Sequence, residues 1–179
     1  MRPVTKACLF AFVAAPLALA APSALADDFN PQFDPSAPAA FQFGESVEAH
    51  ATTFESHCTS ADVRELDPAE NPMAQETLTQ VDCQGFDYFG APRLAEFVFA
   101  DGALTHVWVL TTAEDNAGLR AAFEASFGAP SHDLEMVTAF IDHNAAIRLD
   151  PHEALYTSDA AAPLFRGWFD QVAAQGAEQ

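Results

Sequence analysis

The pair Asp101-Gly102 stands between two apolar-rich runs, Leu94–Ala100 and Ala103–Thr111, and this arrangement limits the fold more than any other feature of the chain. A type I′ turn needs positive φ at both central residues. Asp and Gly tolerate that, and the turn's twist suits two antiparallel strands. A plain two-residue loop predicts that Phe99 faces Leu104, Phe97 faces His106 and Ala95 faces Trp108 on one side of the hairpin. Leu94, Val98, Val107 and Val109 then fall on the other side, with Glu96 and Thr105 among them. Both sides are substantially apolar, so the hairpin belongs in the middle of a sheet, covered on at least part of each face.

Patterns on either side supply partners. Ser46 can cap a helix whose apolar positions Val47, Ala51, Phe54 and Cys58 recur at helical spacing. Val63–Leu66 is a short strand, Pro68–Gln75 a loop, and Thr77–Phe89 a strand with Gly85 as its bulge. After the hairpin, Thr111 or Thr112 caps a second helix with an inner stripe of Leu119, Ala122, Phe123, Ser126 and Phe127. Gly128 and Pro130 end it. Val137–Ile141 and Ala146–Leu149 form a second hairpin around Asp142-His143-Asn144, and Ala154–Tyr156 adds a short strand. Ala161–Ala174 is a last amphipathic helix, with Leu164, Phe165, Trp168, Phe169 and Val172 on one broad face. Tight hairpins without regular βαβ alternation predict an α+β fold: a single curved antiparallel sheet with helices packed against it. One domain spans residues 41–174, and its helix-plus-strands unit occurs twice, after Phe41 and after Thr112. The Pro-rich stretch 27–40 reads as a flexible lead-in, and residues 175–179 as a frayed tail.

Residues 1–26 read as a secretory signal peptide. Arg2 and Lys6 make a positive start, Ala7–Ala20 is almost wholly apolar, and Ala24-Leu25-Ala26 is a small-x-small cleavage pattern. The apolar run is too short for a membrane span and is broken by Pro16. Lys6 lies where a lipobox before Cys8 needs an apolar residue, so a lipid anchor is not expected. The reading places the protein in the periplasm or secreted outside. Cleavage leaves five arginines and no lysine against 26 acidic residues, in a chain whose net charge as a whole is −19. A field of that sign repels phosphate backbones and anionic headgroups, which argues against nucleic-acid binding and membrane insertion of the mature chain. It suits solubility, or attraction of cations and basic partners.

Two cysteines remain after the leader, Cys58 and Cys83. In an oxidising compartment an even pair is read first as a disulfide. The alternative, Cys58 activated by His57, suffers because helical neighbours point about 100° apart.

No nucleophile elbow, Walker loop, dinucleotide fingerprint, paired CxxC or EF-hand loop is present, so no catalytic, cofactor-binding or metal-ligating residue is assigned and no cofactor is called for. His50 and His57 are seven apart on the first helix, too far for a metal pair, and read as a surface face. His106 reads as a satisfied core or rim residue, with a ligand-pocket role as the functional alternative. His132-Asp133 and Asp142-His143 fall in turns. Arg93, Arg148 and Arg166 suit structural ion pairs; an anion site at Arg93 and Arg148 requires them to converge at one end of the sheet.

The stretches Cys83-Gln84-Gly85-Phe86-Asp87-Tyr88-Phe89-Gly90 and Ala95-Glu96-Phe97-Val98-Phe99-Ala100-Asp101-Gly102 resemble uncharacterised exported bacterial domains. The layout over Phe41–Phe169 is similar to small periplasmic domains of the β-lactamase-inhibitor-protein and outer-membrane-assembly-lipoprotein kind. The likeness rests on layout and on no diagnostic motif, and this chain lacks the lipobox cysteine. It implies binding to an envelope or extracellular protein and transfers no functional residue. The resulting expectation is an exported, non-enzymatic binding or protein-interaction domain with a candidate surface at Phe97, His106 and Trp108. The alternatives are an acidic divalent-cation binder, using clustered carboxylates and His50 or His57, and a small exported hydrolase.

Overall fold

A computed structural model describes residues 33–176. The leader, the first part of the lead-in and the last three residues of the tail lie outside that range. In chain order the elements begin with α1 (Ala51–His57), β1 (Ser60–Leu66), β2 (Leu78–Tyr88), β3 (Ala91–Ala100) and β4 (Ala103–Leu110). Then follow α2 (Asn116–Phe127), β5 (His132–Asp133), β6 (Val137–Phe140), β7 (Ala145–Leu149), β8 (His152–Thr157) and α3 (Ala162–Gly176).

All eight strands form one open antiparallel sheet in the order β1-β2-β3-β4-β8-β7-β6-β5, with three helices packed on it, which is the α+β class that the sequence predicts. Each half is a helix followed by a four-strand meander, and the closing strands β4 and β8 pair at the centre. The repeated helix-plus-strands unit is therefore present in the topology.

α1 and α2 pack on the same, inner face. Phe54 of α1 and Leu119 and Phe123 of α2 share one cluster with Val81, Phe97, Phe99, Val107, Val109, Ile147 and Tyr156. Burying each such side chain stabilises by about 1.5–3 kcal/mol, before the entropy cost of ordering it. α3 lies on the outer face, where Phe169 packs on Val137, Ala139, Ala146 and Leu155, flanked by Trp108, Phe165 and Trp168. No helix among the described residues is long and apolar enough to cross a membrane.

Local signals act as expected at several points. Asp101 (φ +50°) and Gly102 (φ +79°) make the turn between β3 and β4. The Asp101 carboxylate also accepts backbone N–H groups from Gln75, Glu76 and Thr77 at 2.8–3.1 Å, which ties the preceding loop to the turn. Those donors hold its pKa below the usual carboxylate value. Gly85 is the bulge of β2: Gln84 pairs with Leu94, then Phe86 with Arg93. Its φ is +73°, and a Cβ there would lie 2.6 Å from Thr59 Cγ2, so only glycine fits. Thr112 and Asp115 close a capping box ahead of α2, with the Thr112 N–H donating to the Asp115 carboxylate at 2.8 Å.

Three expectations are corrected. Residues 33–40 pack on the domain: Pro35 is buried, and Phe33 meets Tyr88 and Phe89 edge-on at 5.0 and 4.9 Å. The prolines bar helix and strand there but suit an extended path over the core. The first helix starts at Ala51, five residues after Ser46, because residues 47–50 are turns closed by local bonds, among them the Ala49 N–H to Ser46 Oγ at 3.3 Å, and the two residues before Ser46 are tied to β4. Gly44 donates its N–H to the Leu104 carbonyl, and the Leu104 N–H reaches Glu45 O, each at 2.9 Å.

The third correction concerns the central hairpin. Phe99 pairs with Leu104 as expected, but the next pairs are Val98 with His106, Phe97 with Val107 and Glu96 with Trp108. Thr105 is an extra residue in β4, a bulge that shifts everything beyond it by one. A one-residue shift moves side chains to the opposite face. Phe97 is therefore on the inner face, whereas His106 and Trp108 are on the outer one.

Cys58, just past α1, and Cys83, buried in β2, sit at disulfide distance with Cα atoms 5.2 Å apart. A bond between them would staple the end of α1 to the sheet.

Candidate functional site

A single row of side chains crosses the outer face through all eight strands. Its directly paired positions are Asp62, Asp82, Glu96, Trp108, Leu155, Ala146, Ala139 and His132. From Trp108 to Ala139 the row is apolar and belongs to the cluster under α3. From Asp62 to Glu96 it consists of three carboxylates on neighbouring strands, and the α3 cluster contains no residue of β1, β2 or β3. Residues directly opposed in an antiparallel pair have Cβ atoms about 4.5–5.5 Å apart, and like charges so placed destabilise the sheet.

Among the described residues, one arginine and one amide contact Asp82, the middle carboxylate of the row, directly. Arg64 engages Asp82, with Nε 2.9 Å from Oδ2 and Nη2 3.0 Å from Oδ1. Gln80 donates an amide N–H to Asp82 Oδ1 at 2.7 Å. Among the described residues, neither Asp62 nor Glu96 has a cation within ion-pair distance. Burial raises the Glu96 pKa above the usual carboxylate value and the negative charge of Asp82 adds to the rise, while a hydrogen bond from Gln80 and the charges of Arg64 and Arg148 act against it.

Trp108 marks the border between the acidic half and the half under α3. The Arg148 guanidinium lies over its ring at 4.3 Å, and Phe165 of α3 meets it at 6.2 Å. Arg148 is ion-paired with Glu153, its cross-strand partner. Glu153 is nearly buried: desolvation pushes its carboxyl up, while the Arg148 charge pulls it down.

His106 lies beside this border with its ring 5.2 Å from that of Phe165. Thr105 Oγ1 donates to the Val98 carbonyl at 3.0 Å and also lies 3.0 Å from His106 Nδ1. A hydroxyl has one proton, and here it is given to Val98. Thr105 must therefore accept from His106, which fixes the Nδ1–H tautomer. Burial lowers the ring's pKa to about 4, so it is neutral at neutral pH. In this geometry the ring hands a proton to the hydroxyl, the reverse of what a general base does for a nucleophile.

The three residues expected to share a surface do not. Phe97 is fully buried on the inner face, 4.3 Å from the Phe41 ring and 5.1 Å from that of Phe54. The Thr105 bulge separates it from His106 and Trp108.

Other sequence candidates have structural roles. His50, read as a surface residue, is 3% exposed. Its Nε2 accepts the Gln42 N–H at 3.0 Å and its Nδ1 donates to Ser46 O at 2.9 Å, so the ring ties Gln42 to the turn that leads into α1. His57 is exposed and borders Phe41. His132, expected in a turn, forms β5 and binds Asp170 of α3 at 3.0 Å. His143 stacks on Phe127 at 4.4 Å. Arg93 pairs with Asp115 at 2.7 Å and lies opposite Phe86 on the inner face, whereas Arg148 is on the outer face, so the two do not converge. No group of three or more His, Cys, Asp or Glu among the described residues could hold a metal ion.

The acidic row itself escaped sequence reasoning, because Asp62, Asp82 and Glu96 become neighbours only through strand register. Set against protein-family models, curated proteins and solved structures, the chain matches none of them.

Proposed function

We propose that the chain is exported and acts without catalysis as a protein-binding domain, with the acidic half of the outer sheet face as its docking surface for a cationic partner. One observation carries this reading: the row Asp62–Asp82–Glu96, three opposed carboxylates of which only Asp82 is ion-paired among the described residues. Each opposed pair costs a few tenths of a kcal/mol or more in the isolated domain. A lysine- or arginine-bearing surface laid across the row turns that cost into attraction. Trp108, partly buried at the border, offers the aromatic area that interface centres favour. Export is supported by the leader pattern of residues 1–26 and by a cysteine pair at bonding distance, which suits an oxidising compartment.

The test is retention of partners from the host's own envelope fraction, with the wild-type protein and an Asp62→Asn/Glu96→Gln variant immobilised side by side. A basic protein that the wild type holds at 50 mM salt, releases at 500 mM, and the variant fails to hold is the expected result. If the variant retains the same proteins as strongly, or the wild type retains none, the docking surface is misassigned.

A further inference from the structure

The two edges of the sheet are built differently. β5, at one end, has only two residues, and both are occupied: Asp133 takes a two-pronged contact from Arg120 at 2.7 and 2.8 Å, and His132 binds Asp170. β1, at the other end, runs seven residues from Ser60 to Leu66, and six of them are exposed. It contains no proline and pairs with β2 without a register shift, so its free side is a regular row of backbone donors and acceptors.

Beside this edge, on the inner side, α1 and β1 enclose a groove of about 560 Å³. Val47, Ala51 and Phe54 form one wall, and Val63 and Val81 the other, with Cys58 at the end. Val63 is 57% exposed, although its pairing partner Val81 is fully buried. No described residue fills this apolar groove, and such a groove along a strand edge is what a ninth strand needs. Backbone bonds to β1 supply affinity, and every second side chain drops between strand and helix.

Charge identifies the occupant. Glu48 and Glu55 border the groove, and Glu65 lies on β1, two residues from Val63 and hence on the same face. The one cation of β1, Arg64, is already engaged by Asp82. The occupant is not a second copy of this chain. Past Lys6 its arginines are single and widely spaced, so no segment is basic, and two bodies of net charge −19 repel. We infer that the β1 edge and the α1–β1 groove take up an extended, cationic segment of another protein, paired to β1 as a ninth strand with its apolar residues in the groove. This site is separate from the acidic outer face and does not depend on it.

The test uses fluorescent ten-residue peptides alternating Val with Lys, against the intact protein purified from an exporting host. Three comparison peptides replace Lys by Glu, carry N-methyl groups on alternate residues, or are interrupted by proline. The Val-Lys peptide is expected to bind with a Kd that rises at least tenfold between 50 and 500 mM salt, and to slow amide exchange in residues 60–66. The three comparison peptides should bind at least tenfold more weakly, as should the Val-Lys peptide to Val63→Asp. Glu96→Gln, on the other surface, should leave the peptide Kd within about twofold, which separates this site from the outer face. Equal binding of the Glu peptide, undiminished binding of the N-methylated one, unchanged affinity of a folded Val63→Asp variant, or no binding at all would overturn the inference. Should Val63→Asp fail to fold, the peptide series decides alone.

Discussion

Thr105 accepts a hydrogen bond from His106, its own neighbour in β4, which fixes the ring's tautomer, while burial keeps the imidazole neutral. The consequence is a pH dependence of stability. Burial depresses the folded-state pKa of His106 to about 4, against roughly 6.5 for an unfolded chain. The unfolded state therefore binds the extra proton first. The ring's contribution is complete above about pH 6.5 and is lost as pH falls toward 4. A shift of that size corresponds to on the order of 3 kcal/mol. His106→Asn keeps a donor near Thr105 and removes the titration. Urea unfolding should show the wild type losing on the order of 2–3 kcal/mol more than the variant between pH 7 and 4.5. Parallel pH profiles would contradict the assignment.

Glu96 carries the opposite sign. Its raised pKa means the folded state prefers the protonated acid, so its favourable contribution belongs to low pH and disappears as pH rises past the ordinary carboxylate range. Glu96→Gln should stabilise the domain by about 0.5–1 kcal/mol at pH 7 and by nothing near pH 4, as measured by denaturant midpoints. Glu153 is the contrast. Its carboxyl is also raised by burial, yet it is ion-paired with Arg148, so Glu153→Gln should destabilise by at least about 1 kcal/mol at pH 7 through stranding that charge. A stability gain in both variants would show that the row and the pair do not differ as described.

A Cys58–Cys83 bond would close a loop of 25 residues and fasten the end of α1, one wall of the groove, to β2. Loop-closure entropy gives such a link on the order of 3–4 kcal/mol. Replacing both cysteines by alanine should lower stability by that order, and a reducing agent should do the same to the wild type while leaving the variant unchanged. A reducing agent that shifts neither protein would mean that the thiols are not joined in solution.

Much of the fold is legible from short-range chemistry. Asp101-Gly102, Gly85 and the Thr112–Asp115 box each act through their own neighbours, so their structural roles can be read without knowing what lies across the sheet. The Thr105 bulge was less accessible. Its trace is the spacing of Leu104, Val107 and Val109, where one apolar interval widens from two residues to three, but a plain two-residue hairpin accounts for the turn equally well. The surface features were illegible because they are products of pairing. The acidic row needs the registers of three strands together, and the groove needs α1 laid beside an unpaired edge. His50 misled for a related reason: nothing local in the sequence announces that its two ring nitrogens meet Gln42 and Ser46.

The bulge also makes a prediction that separates two residues the sequence placed on one surface. Phe97 is enclosed by Phe41, Phe54 and Phe86, so Phe97→Ala leaves a cavity in the larger cluster and should cost about 3–5 kcal/mol. Trp108 lies partly buried between Arg148 and Phe165, and Trp108→Leu keeps an apolar contact with α3 while removing the ring that Arg148 covers. That change should lower stability by no more than about 1–2 kcal/mol, the loss being mainly the cation–π contact. It should, however, weaken retention of a cationic partner by the outer face, whereas Phe97→Ala, assayed under conditions where it remains folded, should leave retention intact. Thermal melts and the envelope-fraction assay on both variants decide the matter. A Phe97 variant with full stability and impaired binding would return that residue to the surface and reject the register around Thr105.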